Sequence, residues 1–264
     1  MSCAPQSGGT GITASENDPV ALELVNSIYE RNQDILTLAL RGEVNYAKGT
    51  DRWYFRFELI SQRPDSFLFT ILDPMGQPAY RIFSDRSSLR ALDYRQQIFY
   101  QGASLKYPLE AFLPIPLTAP DFLSLLSGLL PAEPSIARPQ SPITQDAKVA
   151  TIVYQSKSLD SPGPWRLQLT GGPGFQVKDE PTILSLARGP RNNPDFMVRY
   201  DKWGKHPRED TGAIVDFPEI FRANWQGRNK LEVRVAYTEI RLGFSMPQNI
   251  LHLEQPDGFS IQLL

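Results

Sequence analysis

Apolar positions recur along this chain with two different periods, and the change of period marks its elements. Asn17-Asp18-Pro19 offers a cap followed by proline at the first helical position. Val20, Leu24, Val25 and Ile28 then recur at helical spacing, which predicts a helix over about 19–33. From Leu38 the period becomes two. Val44 and Tyr46 open a strand that stops at the turn cluster Lys48-Gly49-Thr50-Asp51. Trp53, Phe55, Phe57 and Leu59 alternate with Arg52, Tyr54, Arg56 and Glu58, the pattern of an antiparallel strand with one dry face. Residues 67–72 are apolar on both faces, and further strands are predicted over 79–83, 88–94 and 97–101, joined by tight polar turns.

A second helix restarts at Thr118-Ala119-Pro120-Asp121 and is predicted over 120–129. Phe122, Leu125, Leu126 and Leu129 form its stripe, and Gly128 and Pro131 limit its end. Residues 131–142, rich in proline and polar side chains, read as a connection without a regular element. Strands are then predicted over 149–155, 165–170, 182–187, 196–203, 217–225, 231–237 and 259–263. Neither run of strands has enough alternating faces to close a core alone. The expectation is a mainly β (α+β) fold: one long, curved antiparallel sheet over residues 17–264, with helices on its concave side.

Composition narrows the function classes. The chain has 264 residues, 41% hydrophobic and 21% charged, the balance of a globular domain. A net charge of -2 and no Lys/Arg run argue against a nucleic-acid partner. The most apolar region, 105–130, is interrupted by Pro108, Pro114, Pro116, Pro120 and Asp121, so no run is long enough to span a bilayer about 30 Å thick. Catalytic signals are poor. His206 and His252 stand far apart with no metal-ligand spacing. Gly171-Gly172-Pro173-Gly174 lacks the lysine and following helix of a phosphate cradle, and there is no Gly-x-Ser-x-Gly elbow. The chain is therefore expected to be no enzyme and to need no cofactor or metal; a β-rich hydrolase is the least favoured reading.

Two features point elsewhere. Asp73-Pro74-Met75-Gly76 lies between apolar strand-like runs, where Pro and Gly demand a tight turn, and the residue carried on that turn is a long flexible hydrophobe. Cys3, the only cysteine, cannot form an internal disulfide. It precedes Pro5-Gln6-Ser7-Gly8-Gly9-Thr10-Gly11, a polar, glycine-rich tether over residues 1–16. A small residue before a cysteine with a tether after it looks like the remnant of a bacterial lipobox; the alternative is an incidental cysteine in a tail.

These motifs, in this order, resemble the LolB-like outer-membrane lipoprotein receptors. Asp73-Pro74-Met75-Gly76 is similar to that family's Asn-Pro-Leu-Gly turn. Leu113-Pro114-Ile115-Pro116-Leu117, followed by a Leu-rich helix closing on Gly128 and Leu130-Pro131, is similar to its Pro-Ile-Pro-Leu segment and the helix after it. The likeness runs from about Pro19 to Pro131; beyond it only the strand pattern agrees. The chain also exceeds typical receptors in length near 131–164 and 189–215, as a divergent, longer member would.

The resemblance implies a half-barrel closed by helices around a hydrophobic cavity that holds acyl chains. It implies acylated lipoproteins or other lipids as ligands, a periplasmic carrier of the LolA type as partner, and an outer-membrane location facing the periplasm. Cys3 would carry the lipid anchor, and Pro74, Met75 and Gly76 would form a membrane-contacting loop. Candidate lining residues are Trp53, Phe55, Phe57, Phe67, Phe69 and Ile71 on the strands, with Phe122, Leu125, Leu126 and Leu129 on the second helix. Read from the residues alone, any one of these is first an ordinary core position. A structural or assembly role with a filled interior is the competing reading, and a lipid-sized void separates the two.

Overall fold

Short connections decide how the first half pairs. Strands β1 (Thr37–Lys48), β2 (Asp51–Gln62), β3 (Ser66–Leu72), β4 (Pro78–Ser84), β5 (Ser88–Asp93) and β6 (Ile98–Ala103) are joined by two to five residues. Each therefore pairs antiparallel with its predecessor. β7 (Pro134–Pro139), β8 (Val149–Ser156), β9 (Pro164–Thr170), β10 (Thr182–Arg188), β11 (Phe196–Pro207), β12 (Ile214–Trp225) and β13 (Leu231–Leu242) also pair antiparallel in chain order, across connections of five to eleven residues. The computed structural model describes residues 17–31, 33–85, 87–103, 119–131, 134–139, 149–156, 164–170, 182–188, 194–226, 231–247 and 249–264. Pairing of β1 with β13 fuses the two meanders into one open curved sheet of 14 strands. β14 (Ser260–Leu263) closes the order beside β6, as the sheet's parallel pair.

Local chemistry sets where α1 starts and where α2 stops. α1 (Pro19–Glu30) begins with the Asp18 carboxylate accepting from the Ala21 N–H at 2.9 Å, and Pro19 occupies the first turn. Its buried stripe is Ala21, Leu24, Val25 and Ile28, whereas Val20, expected on that stripe, is exposed. α2 (Ala119–Leu126) ends in a Schellman turn. The Leu129 N–H donates to the Ser124 carbonyl at 2.8 Å, the Gly128 N–H to the Leu125 carbonyl at 3.2 Å, and Gly128 takes φ +67°.

The structure corrects the sequence reading at 131–142, where β7 forms instead of a bare connection. Prolines argue against a central strand, but β7 is the sheet's last strand and pairs on one side only. An edge tolerates proline because no partner needs its N–H. The entry to α1 occupies β7's other side: the Asp18 N–H donates to the Ala137 carbonyl at 2.9 Å, and the Ala137 N–H donates to the Asn17 side chain at 3.0 Å.

Two apolar clusters lie on the two faces of the sheet. The larger gathers Leu38, Leu40, Phe57, Leu59, Phe67 and Ile82 with both helices and the inward positions of β8–β13. The smaller, on the outer face, joins Phe83, Leu92 and Phe99 to Leu253, with Leu68, Leu251 and Phe259 against it. It exists because the chain must return from β13 in the middle of the sheet to β14 at the edge. That return crosses the outer face, where Arg90 holds the Leu253 carbonyl at 3.3 Å. The apolar residues on both faces of β3 are thereby explained, with Phe67 and Phe69 in the larger cluster and Leu68 against the smaller.

Gly128 is the sharpest test of how α2 is seated. A Cβ there would lie 2.5 Å from the Trp203 ring and 3.1 Å from Pro218, on a backbone already at positive φ. Gly128→Ala is expected to cost about 1–3 kcal/mol through overpacking and strain. Urea unfolding checks it; an unchanged midpoint would show that α2 can shift away from β11 without loss.

Candidate functional site

One face of β2 shows how the candidate site arises. Leu59 and Phe57 are each 1% exposed, Phe55 is half-buried, and Trp53 is 47% exposed, all on the same side of the strand. The alternation therefore continues outward past the packed core toward the end of the sheet that carries the β1–β2 and β3–β4 turns. Register brings matching residues beside it: Tyr46 opposite both Trp53 and Val233, Val44 opposite Phe55, and Ile71 opposite Tyr80. These side chains line a half-open, mainly apolar cavity of about 360 Å³.

The Asp73–Gly76 turn forms part of its rim. The Asp73 carbonyl accepts from the Gly76 N–H at 3.0 Å, and the Asp73 carboxylate accepts from the Gln77 N–H at 2.8 Å. Gly76 takes φ +84°, the left-handed conformation that glycine supplies without strain. Arg56 on β2 donates to the Pro74 carbonyl at 3.2 Å, tying the turn to the sheet. Pro74 and Asp73 touch the cavity, whereas Met75 projects outward and is 84% exposed. Among the described residues no helix is long and apolar enough to cross a membrane.

The inner wall is aromatic and packed. Phe57 stacks on Phe69 at 5.2 Å between centroids, and Phe122 of α2 meets Phe69 edge-on at 5.7 Å and Phe67 at 6.0 Å. Behind it, two tyrosine hydroxyls satisfy the carbonyls that end α2. Tyr200 donates to Leu125 at 2.9 Å and Tyr237 to Leu126 at 2.8 Å. Burial pushes both phenols above their ordinary range, more than any charged neighbour does.

The expected lining residues thus fall into two groups. Trp53, Phe55 and Ile71 line the cavity. Phe57, Phe67, Phe69, Phe122, Leu125 and Leu126 belong to the packed main cluster, and Leu129 is buried at 2% exposure. Cys3 lies outside the described residues. Val44, Tyr46, Tyr80 and Val233 were missed. Each sits on a strand that the pattern predicts, but only the register between strands assembles them, and that is invisible in one sequence.

Polar chemistry is sparse. Among the described residues no three His, Cys, Asp or Glu side chains are grouped so as to hold a metal ion. His206 approaches Glu219 at 3.3 Å, beside the Lys202–Glu219 pair at 2.5 Å, and His252 meets Glu254 at 2.8 Å on the surface. None of these lines the cavity.

No protein-family profile and no curated protein matches this chain. Solved structures do. A LolA superfamily protein from Nitrosomonas europaea superposes with a TM-score of 0.59 at 10% identity, over 89% of this chain and 99% of its own. A putative outer membrane lipoprotein-sorting protein domain from Vibrio parahaemolyticus gives 0.60 at 11% identity, over 88% and 95%. A DUF1329 family protein from Desulfovibrio piger gives 0.61 at 9% identity, over 89% and 98%. The chain has a LolA/LolB-like fold, as the turn and helix motifs led one to expect.

The tyrosine pair makes a pH prediction. A phenol ionises near pH 10 in the unfolded chain but stays protonated in the fold, so its folded pKa is raised. Stability from this source is complete below about pH 10 and is lost as pH rises above it. Tyr200→Phe/Tyr237→Phe should melt lower at pH 8, by about 1–3 kcal/mol, because the Leu126 carbonyl loses its partner. Its melting temperature should then fall less steeply than the wild type's between about pH 9 and 11. Parallel alkaline slopes would show that the two hydroxyls do not govern this limb.

Proposed function

We propose that this chain is a lipid-anchored protein of the bacterial outer membrane, facing the periplasm. It binds the acyl chains of lipoproteins or similar lipids and helps localise them to that membrane. The observation that carries the reading is the half-open apolar cavity of about 360 Å³ beside the turn that presents Met75 to solvent. An acyl chain gains about 0.8 kcal/mol for each methylene removed from water, and the mainly apolar wall supplies that, with Asp73 and Arg95 the charged residues among those described in its lining. α2 and the sheet form the half-barrel in this reading, with the helices covering its hydrophobic side. The fold shared with lipoprotein-sorting domains supports it, and a periplasmic carrier of the LolA type would hand over the cargo. The role requires no catalysis. A filled interior would favour a structural role; the interior behind Phe57, Phe69 and Phe122 is packed, and the lipid-binding reading rests on the half-open cavity at the turn end.

The turn and the cavity have separable duties, which two variants distinguish. Met75→Glu should change stability by less than about 0.5 kcal/mol, since the side chain makes little contact. It should preserve acyl-ligand uptake yet impair transfer of bound lipid to liposomes, because a carboxylate resists the apolar layer. Trp53→Glu, at a half-exposed position, should instead weaken uptake about tenfold or more. Melting, uptake and liposome transfer on each purified variant decide the matter. Unimpaired transfer by Met75→Glu would leave the turn only a turn, and undiminished uptake by Trp53→Glu would remove the cavity from the mechanism.

The anchor is tested in cells. A fatty-acid probe should label the wild type but not Cys3→Ser, and Ala4 after the cysteine fits sorting to the outer membrane, by analogy with the family. Equal labelling of both proteins would sink the anchor.

A further inference from the structure

We infer that the ligand is an amphiphile with an anionic phosphate head, and that a basic groove on the outer face of the sheet receives that head. This rests on the lipid-binding reading of the cavity. The groove, about 610 Å³ in volume, shares Tyr46, Trp53, Tyr54 and Val233 with the apolar cavity. The two depressions therefore meet at one wall, where the Tyr46 and Trp53 rings lie 4.8 Å apart. In this proposal a molecule with its chain in the cavity bends its polar end over that shared rim into the groove.

The groove's charge pattern is what asks for an anion. Arg199, Arg222 and Arg234 stand directly opposite one another on β11, β12 and β13. Like charges in that relation repel. Elsewhere on the same face a three-strand row alternates in sign: Arg41 sits between Glu58 at 2.9 Å and Glu239 at 2.8 Å. Asp201 answers part of the row, binding Arg222 at 2.6 and 2.9 Å and lying 3.6 Å from Arg199. Arg234 has no ion-pair or hydrogen-bond partner among the described residues. Arg52 also lines the groove and is held by the Gly49 and Asp51 carbonyls at 3.3 and 3.4 Å, while Glu232 is the one acidic side chain among the described lining residues. Four arginines thus face two carboxylates. Guanidinium forks match a phosphate's paired oxygens, and the row offers them across three strands fixed by the sheet.

The test uses the full chain and displacement of an uncharged fluorescent acyl probe. The competitors are lysophosphatidylglycerol, a monoacylglycerol of the same chain length, and glycerol phosphate without a chain. Lysophosphatidylglycerol should compete about tenfold better than the monoacylglycerol at low salt, with the advantage shrinking as salt is raised. Glycerol phosphate alone should not compete. Arg234→Gln should cut the advantage about threefold and Arg222→Gln/Arg234→Gln should remove it, with monoacylglycerol affinity unchanged in both. If the double variant folds poorly, Arg234→Gln alone carries the test, because that side chain holds nothing else in place. Equal competition by the two lipids, or an advantage that survives the double variant, overturns the head-group site while leaving the cavity intact. Displacement by glycerol phosphate alone would assign the groove to a soluble anion instead. Failure of both acyl lipids would overturn the cavity reading itself.

Discussion

Everything functional in this molecule depends on one pairing, that of β1 with β13. The ladder runs from Leu38 opposite Leu242 to Lys48 opposite Leu231 and joins segments about three quarters of the chain apart in sequence. All other antiparallel pairs link strands consecutive in the chain, across connections of at most eleven residues. The seam does not; it must be selected by the match of apolar positions on the two strands. Loop-closure entropy grows only slowly with length, so the distance is thermodynamically tolerable, but such contacts form late and slow folding. Both depressions straddle the seam. The cavity takes Val44 and Tyr46 from one side and Val233 from the other, and the basic groove takes Asn45 and Arg234 likewise.

Most of the elements could be read from the pattern because each is locally specified. Period-two alternation marks β2, a capped stripe marks α1, and Gly128 ends α2 where its Schellman turn requires. What could not be read lies between elements. β7 was hidden because Pro134 and Pro139 are breakers in isolation and acceptable only at an edge, which is a property of the assembled sheet. The outer-face cluster was hidden for the same reason: Phe83, Leu92 and Phe99 make sense only once the chain's return lays Leu253 on them. In the site, Trp53 and Phe57 are indistinguishable by pattern. One lines a cavity and the other is core, and the difference is how far along the strand the packing against α2 extends.

That gradient along the strands also sets how tightly the cavity can hold anything. The stacked Phe57 and Phe69, braced by Phe122, close the interior, so a ligand meets an aromatic wall and not an extended tunnel. A shallow, half-open site leaves part of an acyl chain in contact with water, and each exposed methylene forgoes about 0.8 kcal/mol. Release to a bilayer, which buries the whole chain, is then downhill. On the lipid-binding reading, this modest grip is what lets bound lipid be given up.

The docking of α1's entry on β7 has a consequence beyond the fold. An open sheet offers its last strand as a template on which another chain can add a strand of its own, the route to aggregation and fibrils. β7 begins and ends on proline, and between them the Ala137 N–H and carbonyl are already taken by Asn17 and Asp18. An incoming strand would find no continuous row of donors and acceptors there. That blunted margin lets the protein keep a wide sheet open at β7 without recruiting a neighbour's strand.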